Sequence, residues 1–179
     1  TQANPQDVRR RSALAKLVWQ PSTLQTHVFG AEYRGQDNRV NNLHDFANGT
    51  TRSHTDDESS TRERLSLQSD FRLHAPAADL VNTYLAWQNS RSVQTLQLDT
   101  STQGLRVRDH SYRERLLQAG VKARKQLGAH ALYYGMNVSS TQGSTQSFSV
   151  DRGIATAVPK GPDTRPTRWG VFVHDSMVL

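Results

Sequence analysis

The chain has 179 residues and 20.1 kDa, enough for one domain with a core or one domain with arms. Hydrophobic residues make up 35% and the mean hydropathy is -0.71, and no apolar run approaches the 18 or so residues of a membrane-spanning helix, so no membrane span is expected. The absence of cysteine excludes disulfides, thiolate metal sites and a thiol nucleophile.

Charge is uneven. Lys and Arg number 22 against 16 acids, a net charge of +6, and 18 of the bases are Arg. Residues 1–90 carry 10 bases and 10 acids, and residues 91–179 carry 12 and 6, so the surplus lies in the second half. A basic surface attracts nucleic acid, anionic lipid or an acidic partner. No charged-then-apolar leader opens the chain, which predicts no signal peptide within it. A virion or cytoplasmic location is favoured, with the periplasm an option if a signal has been removed.

Asn4 and Pro5 read as an N-cap and first-turn proline. Val8, Leu14, Leu17 and Val18 then predict an amphipathic helix over 1–20, ended by Pro21, with Arg9, Arg10, Arg11 and Lys16 on its basic side. Residues 23–33 read as a strand. Residues 34–62 are polar, with Asn48-Gly49 and the run Asp56-Asp57-Glu58-Ser59-Ser60, and predict a long loop.

From 63 to 138 the pattern reads β-α-β-β-α-β. Leu65, Leu67, Phe71 and Leu73 alternate with Arg64, Ser66, Gln68, Asp70 and Arg72. Leu80, Val81, Tyr84 and Leu85 form a helical stripe after Pro76. Residues 92–99 and 104–109 predict two strands about a Thr-Ser-Thr-Gln-Gly turn. Ser111-Tyr112-Arg113-Glu114 reads as a capping box, with Leu116, Leu117, Val121 and Leu127 buried and Gly128 as C-cap. His130 to Val138 closes the series. The order is that of an α+β, ferredoxin-like (split βαβ) core within a single domain over 1–179. Residues 139–179 form a strand-rich extension, with Ile154, Thr156 and Val158 on one face of one strand and Trp169, Val171 and Val173 in the last.

Chemistry-bearing motifs are sparse. Phosphate-binding glycine loops and a G-x-S-x-G elbow are absent. His44, Asp45, His54 and Asp56 could converge on a metal only if the 34–62 loop folds back, so neither a metal site nor any other cofactor is expected, and no catalytic residue is assigned. Arg64, Arg72, Arg106 and Arg108 are expected on the open face of the sheet. Arg115 and Lys122 would lie together on the helix wheel. With Arg9, Arg10 and Arg11 they form the candidate surface for a partner or nucleic acid. The two central strands carry no base-stacking aromatic on that face, unlike RNA-recognition sheets.

The expected function is a non-enzymatic structural subunit of a large assembly, a homo-oligomer or a virion or envelope component, holding neighbours through its arms and long loop. The alternatives are a nucleic-acid-binding module that uses backbone electrostatics and, third, a metal- or His/Asp-dependent hydrolase.

Overall fold

The computed structural model describes residues 4–42, 49–158 and 161–177. Every regular element in them is a β-strand. The strands are β1 (Gln6–Ser22), β2 (Gln25–Asn41), β3 (Thr51–Arg72), β4 (Leu80–Thr100), β5 (Gly104–Leu127), β6 (His130–Asp151), β7 (Ile154–Val158) and β8 (Thr167–Met177). They form one antiparallel sheet in which β1 to β7 lie side by side in chain order. β7 pairs with Ser147–Asp151 of β6, and β8 with His130–Ser140 of the same strand. A bridge from Gly143 to Thr164 lies between them. β7 and β8 are thus two stretches of one interrupted strand, and the sheet is a plain up-and-down meander.

This corrects the expected α+β, ferredoxin-like fold. The helices expected at 1–20, 77–89 and 111–127 fall in β1, β4 and β5. The cause is visible in the small residues. In β5, Leu117, Ala119, Val121 and Ala123 alternate with Leu116, Gln118, Gly120 and Lys122, a period of two that a helical reading of the large residues alone misses. Of the polar stretch 34–62, residues 43–48 lie outside the described residues, and the far ends of β2 and β3 take up residues 34–41 and 51–62, paired from Arg34↔Arg62 to Asn41↔Thr55. Both its faces are hydrophilic, so it offers no apolar alternation to read. Cross-strand pairs line it instead. Arg39 Nε donates to Asp57 Oδ1 at 2.5 Å, Arg11 Nη2 to Asp37 Oδ2 at 3.1 Å, and the Ser59 hydroxyl to Asp37 Oδ1 at 2.8 Å.

The strands are long. At about 3.4 Å per residue the 24 residues of β5 reach about 80 Å. Tight turns join them, with Thr23-Leu24 and Gly128-Ala129 at one rim and Arg152-Gly153 at the other. Arg152 and Gly153 both have positive φ, 51° and 79°, as a two-residue hairpin turn of this kind requires. The 73–79 turn is tied down by Asp79, which accepts from the Gln126 amide and from Lys125 Nζ, each at 2.7 Å. The Gln126 amide first, then Lys125, hold the Asp79 carboxyl below its ordinary pKa, against a smaller opposing effect of burial.

A folded chain of this mass exposes about 8,700 Å². This one exposes 12527 Å². Among the described residues only Ala78, Ala86, Ala131 and Ser69 are buried side chains. The single sheet has no second layer of its own, so its faces are covered by something else or carry the function.

Candidate functional site: two unlike faces of one sheet

Residues paired across an antiparallel ladder point to the same face, so the register sorts every side chain. One face carries an apolar belt in consecutive rows. Its first row is Ala15, Ala31, Leu65, Trp87 and Leu117. The next is Leu17, Phe29, Leu67, Leu85, Ala119, Val138 and Trp169. Trp19, Val121, Met136 and Val171 follow, then Phe71, Val81, Ala123, Tyr134 and Val173. The belt runs about 20 Å along the strands, with Tyr33 one row above it. Its side chains are open: Leu17 is 63% exposed, Leu85 48%, Leu117 50% and Val171 70%. A shallow hollow of about 620 Å³ lies among Leu17, Phe29, Leu65, Leu85, Trp87 and Leu117. Aromatic rings stand at both margins, Tyr33 and Trp87 on one side and Trp19, Phe71 and Tyr134 on the other. From the Tyr33 row upward, where Glu63, Asn89 and Arg115 stand level with Tyr33, the same face turns charged.

The opposite face is mainly polar, with Leu14, Val18, Leu80 and Phe172 scattered over it and forming no band. Level with the belt it presents Lys16, Arg64, Gln68, Asp70, Asn82, Gln118, Lys122, Asn137 and Arg168. Higher up, a hollow of about 760 Å³ is lined on this face by Arg10, Ser12, Glu32, Arg34, Ser60, Arg62 and Tyr112, with Arg11 and Arg91 of the belt face at its margin. Glu32 Oε1 is 2.6 Å from Arg34 Nε and 2.6 Å from Arg62 Nη2, so its charge is spent on two guanidinium groups. Arg10 Nε donates only to the neutral amide oxygen of Gln36, at 3.2 Å. The hollow therefore carries a net positive charge. The Arg62 Nε is buried with no hydrogen-bond partner among the described residues. The Tyr112 hydroxyl donates to Glu114 Oε2 at 2.7 Å; that bond first, and then burial, raise its pKa.

The sheet distributes the expected site residues in a definite way. Arg10, Arg64, Arg72, Arg106, Arg108 and Lys122 lie on the polar face, and Arg9, Arg11 and Arg115 on the belt face. Arg115 and Lys122, neighbours on a helix wheel, fall on opposite faces because seven residues is an odd number of steps along a strand. Arg106 pairs with Asp151 at 3.1 Å and Arg9 with Asp7 at 3.6 Å. The group on the polar face is strung along the strands: Arg106 and Arg72 stand near opposite rims, about 60 Å apart along the strand direction. His44 and Asp45 lie outside the described residues. Asp56 accepts from Gln94, and no group of His, Asp or Glu among the described residues could hold a metal ion. Glu32, Arg34 and Arg62 were missed as candidates because they fall in or beside the stretch read as loop; the spacing of Arg62 and Arg64 two apart is the signal that could have found them.

No family model and no curated protein matches the chain. Its fold is similar to that of the ferric citrate transporter FecA in the unliganded form, with a TM-score of 0.55 and 13% identity over 96% of this chain and 27% of that one. It is also similar to the ferric yersiniabactin uptake receptor FyuA from Yersinia pestis, with a TM-score of 0.59 and 11% identity over 97% of this chain and 26% of that one. The chain thus spans about a quarter of the length of the solved structures it matches. No helix of the described residues is long and apolar enough to cross a membrane, a criterion that does not address strands.

Proposed function

We propose that this chain is a wall segment of a membrane-spanning β-barrel, with its apolar belt against lipid and its polar face toward an aqueous lumen that accepts small anions. The carrying observation is the belt: a continuous band of open apolar side chains on one face, four rows deep from Leu117 to Ala123 of β5 and so somewhat shorter than the 9 to 11 residues of a tilted transmembrane strand, with aromatic rings at both margins. In water such a face would drive aggregation, whereas lipid makes its exposure favourable. The likeness to a transporter and an uptake receptor supports the same reading at the level of fold. The expectation of a subunit held by neighbours enters in a specific form. The outer edges of β1 and of β7–β8 carry unpaired backbone groups, and a barrel closes only when further strands, of the same polypeptide or of other copies, pair with both.

The natural absence of cysteine makes a direct test available. Single cysteines along β5 at 117 to 123, in vesicle-reconstituted protein, are expected to alternate. Leu117→Cys, Ala119→Cys and Val121→Cys should contact lipid by spin-label accessibility to oxygen. Gln118→Cys and Lys122→Cys should react with a charged aqueous thiol reagent. A uniform response, or burial of the belt positions against protein, would overturn the membrane reading in favour of a soluble assembly.

The cationic hollow supplies the lumenal half of the proposal. Citrate, as a probe polyanion, is expected to bind with an affinity that falls as salt rises, because screening weakens the guanidinium field. Arg34→Gln and Arg62→Gln should each lower that affinity on the order of tenfold or more, given that each charged hydrogen bond contributes about 1.5–3 kcal/mol. Calorimetric titration showing no citrate binding, or binding indifferent to both substitutions, would remove the anion assignment and leave the wall assignment standing.

A further inference from the structure

A second cationic feature lies on the other face, outside the lumen. Arg91 of β4 and Arg113 of β5 are direct cross-strand partners on the belt face. Their Cβ atoms stand about 5 Å apart, a placement in which like charges repel. Neither makes an ion pair or a hydrogen bond with any described residue. Arg115 lies two residues further along the same face and is equally free. The rows between Arg9 and the belt hold Arg9, Arg11, Arg91, Arg113 and Arg115 against Asp37 and Glu63, and Asp37 is already engaged by Arg11 and Ser59. Beside the two opposed arginines, toward β6, the surface dips into a small polar recess of about 160 Å³. It is lined by Arg91, Ser111, Arg113, Ser144 and Gln146, with Tyr112 at its edge. Two guanidinium forks, two hydroxyls and an amide around a hollow of that size are the donors that a phosphate monoester's oxygens require.

Height decides whose phosphate it is. Arg113 lies four residues beyond Leu117, the last belt residue of β5, which is about 13 Å along the strand and about 10 Å along the normal at a barrel-like tilt. The headgroup layer on one side of a bilayer occupies about 5–8 Å beyond the hydrocarbon, and an arginine side chain reaches back across the difference. We propose that Arg91 and Arg113, assisted by Arg115, form a binding site for the phosphate of an anionic lipid headgroup on the outer wall. The site rests on the membrane reading above. The bound phosphate relieves the repulsion between the opposed arginines, so lipid of the right charge stabilises the wall where the sheet alone is strained.

The test uses the full protein in phosphatidylcholine vesicles with and without lipid A, following thermal unfolding and the lipid A phosphate retained through detergent purification. Lipid A should raise the unfolding midpoint of the unaltered protein. Arg91→Gln with Arg113→Gln should abolish most of the shift and lower retained lipid about 25-fold, at about fivefold per arginine near an anionic surface. Arg91→Lys with Arg113→Lys, which keeps the charge but not the fork, should recover part of it. Lys16→Gln with Arg168→Gln, on the polar face, should leave retention unchanged. Equal retention in the glutamine pair and the unaltered protein would overturn the site, as would an equal shift from inorganic phosphate alone, which marks a free-anion site. The two readings fail separately. Alternating lipid contact along β5 with no dependence on Arg91 and Arg113 defeats only the headgroup site, whereas loss of that alternation defeats both.

Discussion

Leu85→Arg is expected to destabilise the membrane-inserted protein by about 2–4 kcal/mol, a shift of roughly 30- to 1000-fold in the folded fraction. Leu85 stands in the second row of the belt, with Leu67 opposite on β3 and Ala119 opposite on β5. Trp87 and Thr83 follow two residues away on either side of the same face. A guanidinium there has no counter-charge within the belt, and to reach the nearer margin it must bend back past Trp87. Gln118→Arg is the matched control. It lies at the same height on β5 but on the polar face, opposite Ala86 and Ser139, where a charge joins Lys16 and Arg168 in an aqueous setting. Its cost should stay within about 0.5 kcal/mol. Urea unfolding from lipid vesicles, read through Trp19, Trp87 and Trp169 fluorescence, measures both. Equal costs for the two substitutions would contradict the assignment of the faces. In a soluble assembly Leu85 would instead be covered by a neighbour, and the loss would depend on protein concentration.

Gly120→Ala and Gly135→Ala should each cost about 1–3 kcal/mol despite adding one methyl group to a polar, open face. Gly120 is the direct partner of Tyr84, and Gly135 of Phe172. In each pair the ring occupies the space into which a Cβ on the glycine would project. These are aromatic rings covering glycines on the neighbouring strand, an arrangement that lets a long sheet coil without leaving bare backbone. The two sites differ in what else stands in the way. At Gly120 all three nearest obstacles are Tyr84 side-chain atoms, so Tyr84→Ala should remove most of the penalty. At Gly135 the Val121 carbonyl oxygen also blocks the position, so Phe172→Ala should restore only part. A double-mutant cycle on each pair, by the same unfolding measurement, reads the coupling. Full rescue at both sites, or at neither, would show that the ring contacts do not set the cost.

Legibility followed hydrophobic alternation. Leu65, Leu67 and Phe71 against Arg64, Ser66, Gln68 and Asp70 announce a strand with unlike faces, and those faces are the belt and the polar face of the structure. Ile154 to Val158 and the Trp169–Val171–Val173 alternation are likewise strands. Where both faces are polar the signal vanishes, and β2 beyond Tyr33 and β3 before Arg62 read as loop. Where alanine and glycine carry half of the alternation, as at Ala119, Gly120 and Ala123, the larger neighbours Leu116, Leu117 and Val121 simulate a helical stripe. The cationic hollow suffered the same loss, since Arg34 and Arg62 gain meaning only when Glu32 is seen between them.

Several properties belong to the amino-acid order alone: a surplus of arginine, no thiol chemistry, no apolar helix long enough to span a bilayer, and a run of short alternations in which leucine, valine and aromatics face one way. Strand pairing decided the rest. Alternation within one strand places a residue on a face but cannot align it with residues tens of positions away. Only the ladder register stacks Leu17, Phe29, Leu67, Leu85 and Val138 at one height, and so turns scattered apolar residues into a continuous band. The same register sets Arg91 against Arg113 and places Arg115 and Lys122 on opposite faces, because each step along an extended chain reverses the direction of the side chain.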